Sequence, residues 1–177
     1  KERKLSVITL DSSSKIATSK VEQAIIRGLA VSESINIARD FVNEPPNILN
    51  SETYAKRVEK EAHALPNVKC KILGKEELKK EKMGMFLAVN AGSAFGPRLV
   101  HLTYTPTKST ANTKHVVLVG KGLTFDTGGY CLKPSGSIVN MKYDMAGSAT
   151  VFAAFRIIAL LNLPIKVTCL LGITDNA

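Results

Sequence analysis

The sequence predicts an α/β protein, an α/β/α sandwich around a mostly parallel or mixed sheet, and three stretches predict it. His115 to Val119 is a valine-rich run that reads as a strand buried on both faces. Residues 145–162 are apolar almost all round, with Arg156 the single charge, as in a helix packed into a core and stopped by Pro164. Ile165 to Ile173 is a second apolar strand. Strand, loop, helix and strand in that order imply a sheet covered by helices.

The remaining elements follow along the chain. Residues 4–10 read as a short strand, and the Ser-rich stretch Asp11 to Ser14 as a linker. From about Ser19 to Val42, apolar residues at Val21, Ile25, Leu29, Ile35, Ala38 and Val42 recur near helical spacing. Pro45-Pro46 ends that helix and forces an extended segment through Asn50. A second helix starts near Ser51, the expected N-cap, and closes before Pro66. Val68, Cys70 and Ile72 alternate with polar neighbours, the period of a half-exposed strand. A short charged helix around Lys75 to Lys82 comes next. Met85 to Asn90 reads as an apolar strand running into a Gly-Ser turn, and Leu99 to Thr105 as a further strand. The expected organisation is residues 1–18 as the end of a preceding domain and linker, and residues 19–177 as the first half of a larger domain. Neither terminus looks native, since the chain opens on Lys1 and stops just past a central strand.

At 177 residues, 45% of them apolar and 22% charged, the chain suits one soluble globular unit. No apolar run is long enough to span a bilayer, and no signal-peptide pattern opens the chain, which favours the cytoplasm and no membrane. The net charge of +9 raises nucleic acid as a partner. Its distribution argues against this, because 19 basic and 12 acidic residues interleave over residues 1–114 as on solvated helix faces. Cys70, Cys131 and Cys169 stand far apart, neither a disulfide framework nor a zinc-finger pattern. Cys70 and Cys169 read as buried thiols in a reducing compartment.

Chemistry concentrates between the valine-rich strand and the apolar helix. Gly120-Lys121-Gly122-Leu123-Thr124-Phe125-Asp126-Thr127-Gly128-Gly129 is followed by Leu132-Lys133-Pro134 and by Met141-Lys142-Tyr143-Asp144-Met145. In α/β sheets, ligands bind beyond the carboxyl ends of the strands. Charges beside core elements are costly unless they are paired or bind metal. Taken singly, each residue has a plain structural reading. Lys121 could be a turn residue, Asp126 an Asx turn, Asp144 an N-cap, and Lys133 and Lys142 surface loop residues. Gly120-Lys121-Gly122 lacks the spacing of a phosphate-binding loop.

Jointly, these segments resemble the metal-site signature of the leucyl (cytosol) aminopeptidases, a zinc-exopeptidase type of fold. Upstream, Ala38 to Asn47, Met83 to Val89 with Gly92-Ser93, and Pro97-Arg98-Leu99 fit the same family in order, so the resemblance covers the chain from about residue 20. It implies a metallo-aminopeptidase that releases N-terminal residues, leucine-type first, from peptides. The implied metals are two divalent ions, zinc or manganese, which share an attacking hydroxide; the complete enzyme also holds a bicarbonate and forms a hexamer. Residue by residue, it makes Lys121 an amine ligand of one metal, Asp126 the carboxylate bridging both, and Asp144 a ligand beside the substrate's amino terminus. Lys133 becomes the catalytic lysine that contacts substrate without ligating metal, and Met141 lines the pocket for the substrate's first side chain. Those two lysines have opposite tasks. A lysine amine coordinates only after losing a proton held with a free pKa of about 10.4, whereas an oxyanion is stabilised by a lysine that keeps its proton.

The family's second cluster, an Asp-x-Glu-x-Arg arrangement, does not occur in the sequence. The 177-residue chain by itself is therefore expected to be inactive. Tyr130-Cys131 stands where the family usually has smaller or aliphatic residues followed by Ser or Asn, and Cys131 is expected to be a partly buried bystander. Ala146-Gly147-Ser148 replaces a more glycine-rich helix start, a change expected to be tolerated. Two rival readings are a non-catalytic scaffold that keeps the fold and a basic nucleic-acid-binding module. The joint presence of Lys121, Asp126, Lys133 and Asp144 weighs against the first, and the charge distribution against the second.

Overall fold

The structure, a computed structural model, describes residues 17–177. The expected strand at 4–10 and most of the 1–18 segment lie outside the described residues. Helix α1 (Thr18–Asn43) and helix α2 (Ser51–His63) open the fold and flank the Pro45-Pro46 break. Strand β1 (Val68–Leu73), helices α3 (Lys75–Lys80) and α4 (Gly84–Val89), and strand β2 (Arg98–Tyr104) follow. Strand β3 (His115–Asp126) leads through α5 (Ser135–Ile138) and a 3-10 turn (Val139–Tyr143) into α6 (Ala146–Leu160) and strand β4 (Lys166–Asn176).

Among the described residues, the four strands form one mixed sheet in the order β1-β2-β4-β3. β3 and β4 run parallel, joined by the crossover through α6 that a parallel pair requires; β1–β2 and β2–β4 are antiparallel. The α/β class and mixed sheet agree with the sequence. Helices α1, α2 and α6 cover one face, where Val100, Leu102, Leu171 and Ile173 meet Phe41, Tyr54, Val58, Phe152 and Phe155. The Phe41 ring meets Tyr54 edge-on at 4.9 Å between centroids. Residues 135–160 form a stretch long and apolar enough to cross a membrane. It is divided into two helices and a 3-10 turn, and α6 buries Phe152, Phe155 and Ala159 in the core. Arg156, also buried, pairs with Glu61 of α2 at 2.9 Å.

Several local expectations are corrected. Met85 to Asn90 is not a strand; Gly84–Val89 is a short helix that leaves Met85 exposed. Ser51 is the first residue of α2, and its N-cap is Asn50, whose side chain accepts from Glu52 and Thr53 in a capping box. β3 does not end at Val119 but continues to Asp126. Its valines are not buried on both faces, since Val117 is 54% and Val119 71% exposed. They lie on the sheet face opposite α6, on the edge strand, where the described residues leave them uncovered. Cys169 is buried as expected, but Cys70 is half-buried and Cys131 is exposed.

A buried polar contact seats the start of α6. The Tyr54 hydroxyl and Ser148 Oγ are 2.9 Å apart, and Ser148 Oγ donates to the Met145 carbonyl at 2.8 Å. A Cβ on Gly120 would come within 2.6 Å of Ser148 Cα, so glycine is what lets β3 and α6 approach here. This contact fixes where the helix begins, and hence where Asp144, just before it, is held.

Candidate active site

Lys121 and Asp126 sit on strand β3 itself, Asp126 as its last residue. Lys133 and Met141 belong to the β3–α6 connection, and Asp144 follows the 3-10 turn. The chain therefore assembles two lysine–aspartate pairs from one strand and the connection behind it. Lys121 Nζ lies 2.9 Å from Asp144 Oδ1, and Lys133 Nζ lies 2.7 Å from Asp126 Oδ2.

Asp126 is the more enclosed carboxylate. Its Oδ1 accepts from the Gly128 N–H and from Asn176 Nδ2, both at 2.8 Å. The first of these bonds is the Asx turn that the sequence suggested, with Gly128 and Gly129 at φ of 85° and 79°. The Asx turn expected at Asp126 is thus present. Burial alone would push the Asp126 carboxyl up. Hydrogen bonds from Lys133, Gly128 and Asn176, with a further contribution from Asp144, outweigh it and hold the group at about 2.

Asp144 is not the N-cap of α6; that position is Met145, with no side-chain cap. One Asp144 oxygen meets Lys121, and the other, Oδ2, is buried without a hydrogen-bond partner. An orphaned buried carboxylate oxygen is costly, and a cation would satisfy it. Among the described residues, no three or more His, Cys, Asp or Glu side chains come together. The orphaned Asp144 oxygen nonetheless faces no competing donor, so the chemistry beside it, carboxylate oxygen and lysine amine, suits a divalent cation.

Lys133 is not a free surface lysine. Besides Asp126, its ammonium contacts Met141 Sδ at 3.0 Å, so the expected pocket residue lies directly against the expected catalytic lysine. Lys142 is peripheral, donating to the Asn43 carbonyl at 3.1 Å and lying over the Tyr143 ring. Beside Lys121, the open sheet face and α4 border a cleft of 520 Å3, lined by Phe86, Val119, Leu170 and Thr174 among others.

Sequence reasoning missed Asn176 and Asp175. Asp175 accepts from Ser93 at 2.8 Å and from Thr124, and so ties the 90–95 loop to the strand ends. Asn176 lies opposite Asp126 in the parallel β3–β4 register. A sequence signal existed, since two polar residues close an apolar strand where α/β sheets bind ligands.

Comparisons with known proteins point to one family. Residues 36–177 match the model of the cytosol aminopeptidase family, catalytic domain. The chain is 46% identical over 153 residues to a probable cytosol aminopeptidase of Streptomyces avermitilis, covering 86% of this chain and 29% of that protein. It is 39% identical over 170 residues to one from Helicobacter hepaticus, covering 96% and 35%. Among solved structures, it matches apo leucyl aminopeptidase from Trypanosoma cruzi with a TM-score of 0.78 and 36% identity, covering 84% of this chain and 28% of that one. The bottromycin maturation enzyme BotP in complex with Mn matches with a TM-score of 0.79 and 39% identity, covering 88% and 33%. The chain thus spans about a third of the length of these relatives. The family model covers most of the chain: the chain belongs to the cytosol aminopeptidase family.

Proposed function

We propose that this chain carries half of the active site of a metal-dependent aminopeptidase that releases N-terminal residues, leucine-type first, from peptides. The observation that carries the reading is the convergence of Lys121, Asp126, Lys133 and Asp144 in two ion pairs, with one Asp144 oxygen buried and unpartnered. Lys121, Asp126 and Asp144 would hold the metals, Asp126 as a ligand common to both. Divalent ions bound there supply Lewis acidity toward the peptide carbonyl and activate water.

This chain's own residues do the rest. The Lys121 amine must give up its proton, and its hold on Asp144, to become a ligand. Lys133 keeps its proton and turns its ammonium from Asp126 toward the oxygen that gains charge as the carbonyl is attacked. Met141, against Lys133, supplies apolar surface for the substrate's first side chain. Asp144 offers a negative group to a free substrate amino terminus, which favours exopeptidase over endopeptidase cleavage.

In this reading the complete protein would supply the remaining ligands and the arginine that holds a bicarbonate and would form the hexamer, and the 177-residue chain alone would be inactive. A cytoplasmic location is supported by the relatives' name and by cysteines that are all free. The test is hydrolysis of leucine amide by the full-length protein with added manganese or zinc, beside its Asp126→Ala variant. Activity that needs both the metal and Asp126 supports the reading; an inactive full-length protein moves the assignment to a scaffold that keeps the fold without the chemistry.

A further inference from the structure

We propose that Asn176 is the positioning residue of Asp126: its side-chain amide, brought up by the end of β4, fixes the plane in which the carboxylate faces the metals. The proposal rests on the metal-site reading above and goes beyond it, because Asn176 is not among the ligands or the catalytic groups of that reading.

Three contacts join Asn176 to the segment it serves. Its carbonyl accepts from the Thr127 N–H at 2.8 Å and from Thr127 Oγ1 at 3.0 Å, while its Nδ2 donates to Asp126 Oδ1 at 2.8 Å. The backbone contacts hold β3 and β4 together where their register shifts between Leu123 and Asp126. With the strand pairing irregular at this point, register alone does not set the direction of the carboxylate. The side-chain contact supplies that direction. A carboxylate oxygen can only accept, so the amide must present nitrogen to Asp126, leaving its own oxygen toward Gly129. With the Gly128 N–H on the same oxygen, Oδ1 is held by two donors from two different strand ends. Oδ2 accepts from the Lys133 ammonium of the β3–α6 connection. A bridging carboxylate must keep both oxygens aimed at fixed points, and partners outside the ligand shell commonly do that work.

The experiment is manganese binding by calorimetry to the full-length protein as wild type, Asn176→Leu and Thr127→Val, each also melted in the metal-free state. Asn176→Leu preserves volume and removes the donor. It is expected to bind manganese roughly 10–100-fold more weakly. Thr127→Val loosens the same strand junction without touching Asp126. It is expected to melt lower yet keep wild-type affinity, a split that a merely structural role would not produce. Should the leucine variant not fold, Asn176→Ser, too short to reach Asp126, takes its place with the same expectation. Unchanged affinity in the Asn176 variant overturns the proposal, as does an equal loss in Thr127→Val. A wild-type protein that binds no manganese overturns the metal reading itself, and this proposal with it.

Discussion

Lys133 and Asp126, seven residues apart, face each other across a glycine turn with ammonium and carboxylate 2.7 Å apart. The contact places a cation from the β3–α6 connection on the carboxylate that closes the strand. In the metal-free protein the two charges neutralise each other. The proposed function needs that pair to open, leaving Asp126 for metal and Lys133 for substrate.

Replacing Lys133 separates these roles. In the full-length protein, Lys133→Ala should lower kcat by roughly 10²–10³-fold, the usual loss for one oxyanion donor. Manganese affinity should be retained, because Lys133 is not a ligand in this account. Steady-state kinetics beside metal titration measures both; a variant that loses affinity and kcat together would make Lys133 part of the metal site.

Acid should expose the contribution of Asp126 to stability. Its folded pKa, about 2, lies below the ordinary 3.8. The ionised group therefore stabilises the metal-free fold above about pH 4, and that contribution disappears as the pH falls toward 2. Melting of wild type against Asp126→Asn across this window should show a stability difference that narrows with acid. A difference that widens would contradict the hydrogen-bond network drawn around Asp126.

How much of this was legible in the sequence varies by element. Helix α1 was legible from helical apolar spacing and the Pro45-Pro46 stop, and α2 from its polar start near Ser51 and the Pro66 stop. Met85 to Val89 was not, since a run this short has no decisive period and is settled by its neighbours. β3 read as ending at Val119 because Lys121 and Asp126 break its apolar pattern, yet the register with β4 carries it to Asp126. Its valines read as buried because valine fits buried strands, whereas burial depends on what covers each face. Lys121, Asp126, Lys133 and Asp144 were legible through their joint motif. Asn176 was not, because its link to Asp126 spans 50 residues and exists only through strand pairing.

The three thiols should differ sharply in reactivity. Burial pushes the Cys169 thiol up to about 12, and burial with the nearby Glu59 pushes Cys70 to about 11, which leaves little thiolate at neutral pH. Cys131 is exposed. A disulfide reagent at pH 7 should modify Cys131 first, as followed by peptide mass; equal labelling of Cys169 would show that the core face of β4 opens in solution.

Gly120→Ala tests the seat of α6. The added Cβ would meet backbone 2.6 Å away at Ser148, which cannot be relieved by turning a side chain. A loss of about 1–3 kcal/mol is expected from denaturant unfolding of the full-length protein, the usual cost of overpacking. Wild-type stability would mean that β3 and α6 do not pack so closely.

The central claim is that Lys121, Asp126 and Asp144 hold metal, and anomalous scattering from manganese-soaked crystals of the full-length protein tests it most directly. The account predicts that the Lys121 amine leaves Asp144 for the ion, that Asp144 Oδ2 gains it as a partner, and that a peak lies beside both and Asp126. A manganese-soaked crystal in which the Lys121–Asp144 pair stays closed and no peak lies beside Asp126 would contradict it.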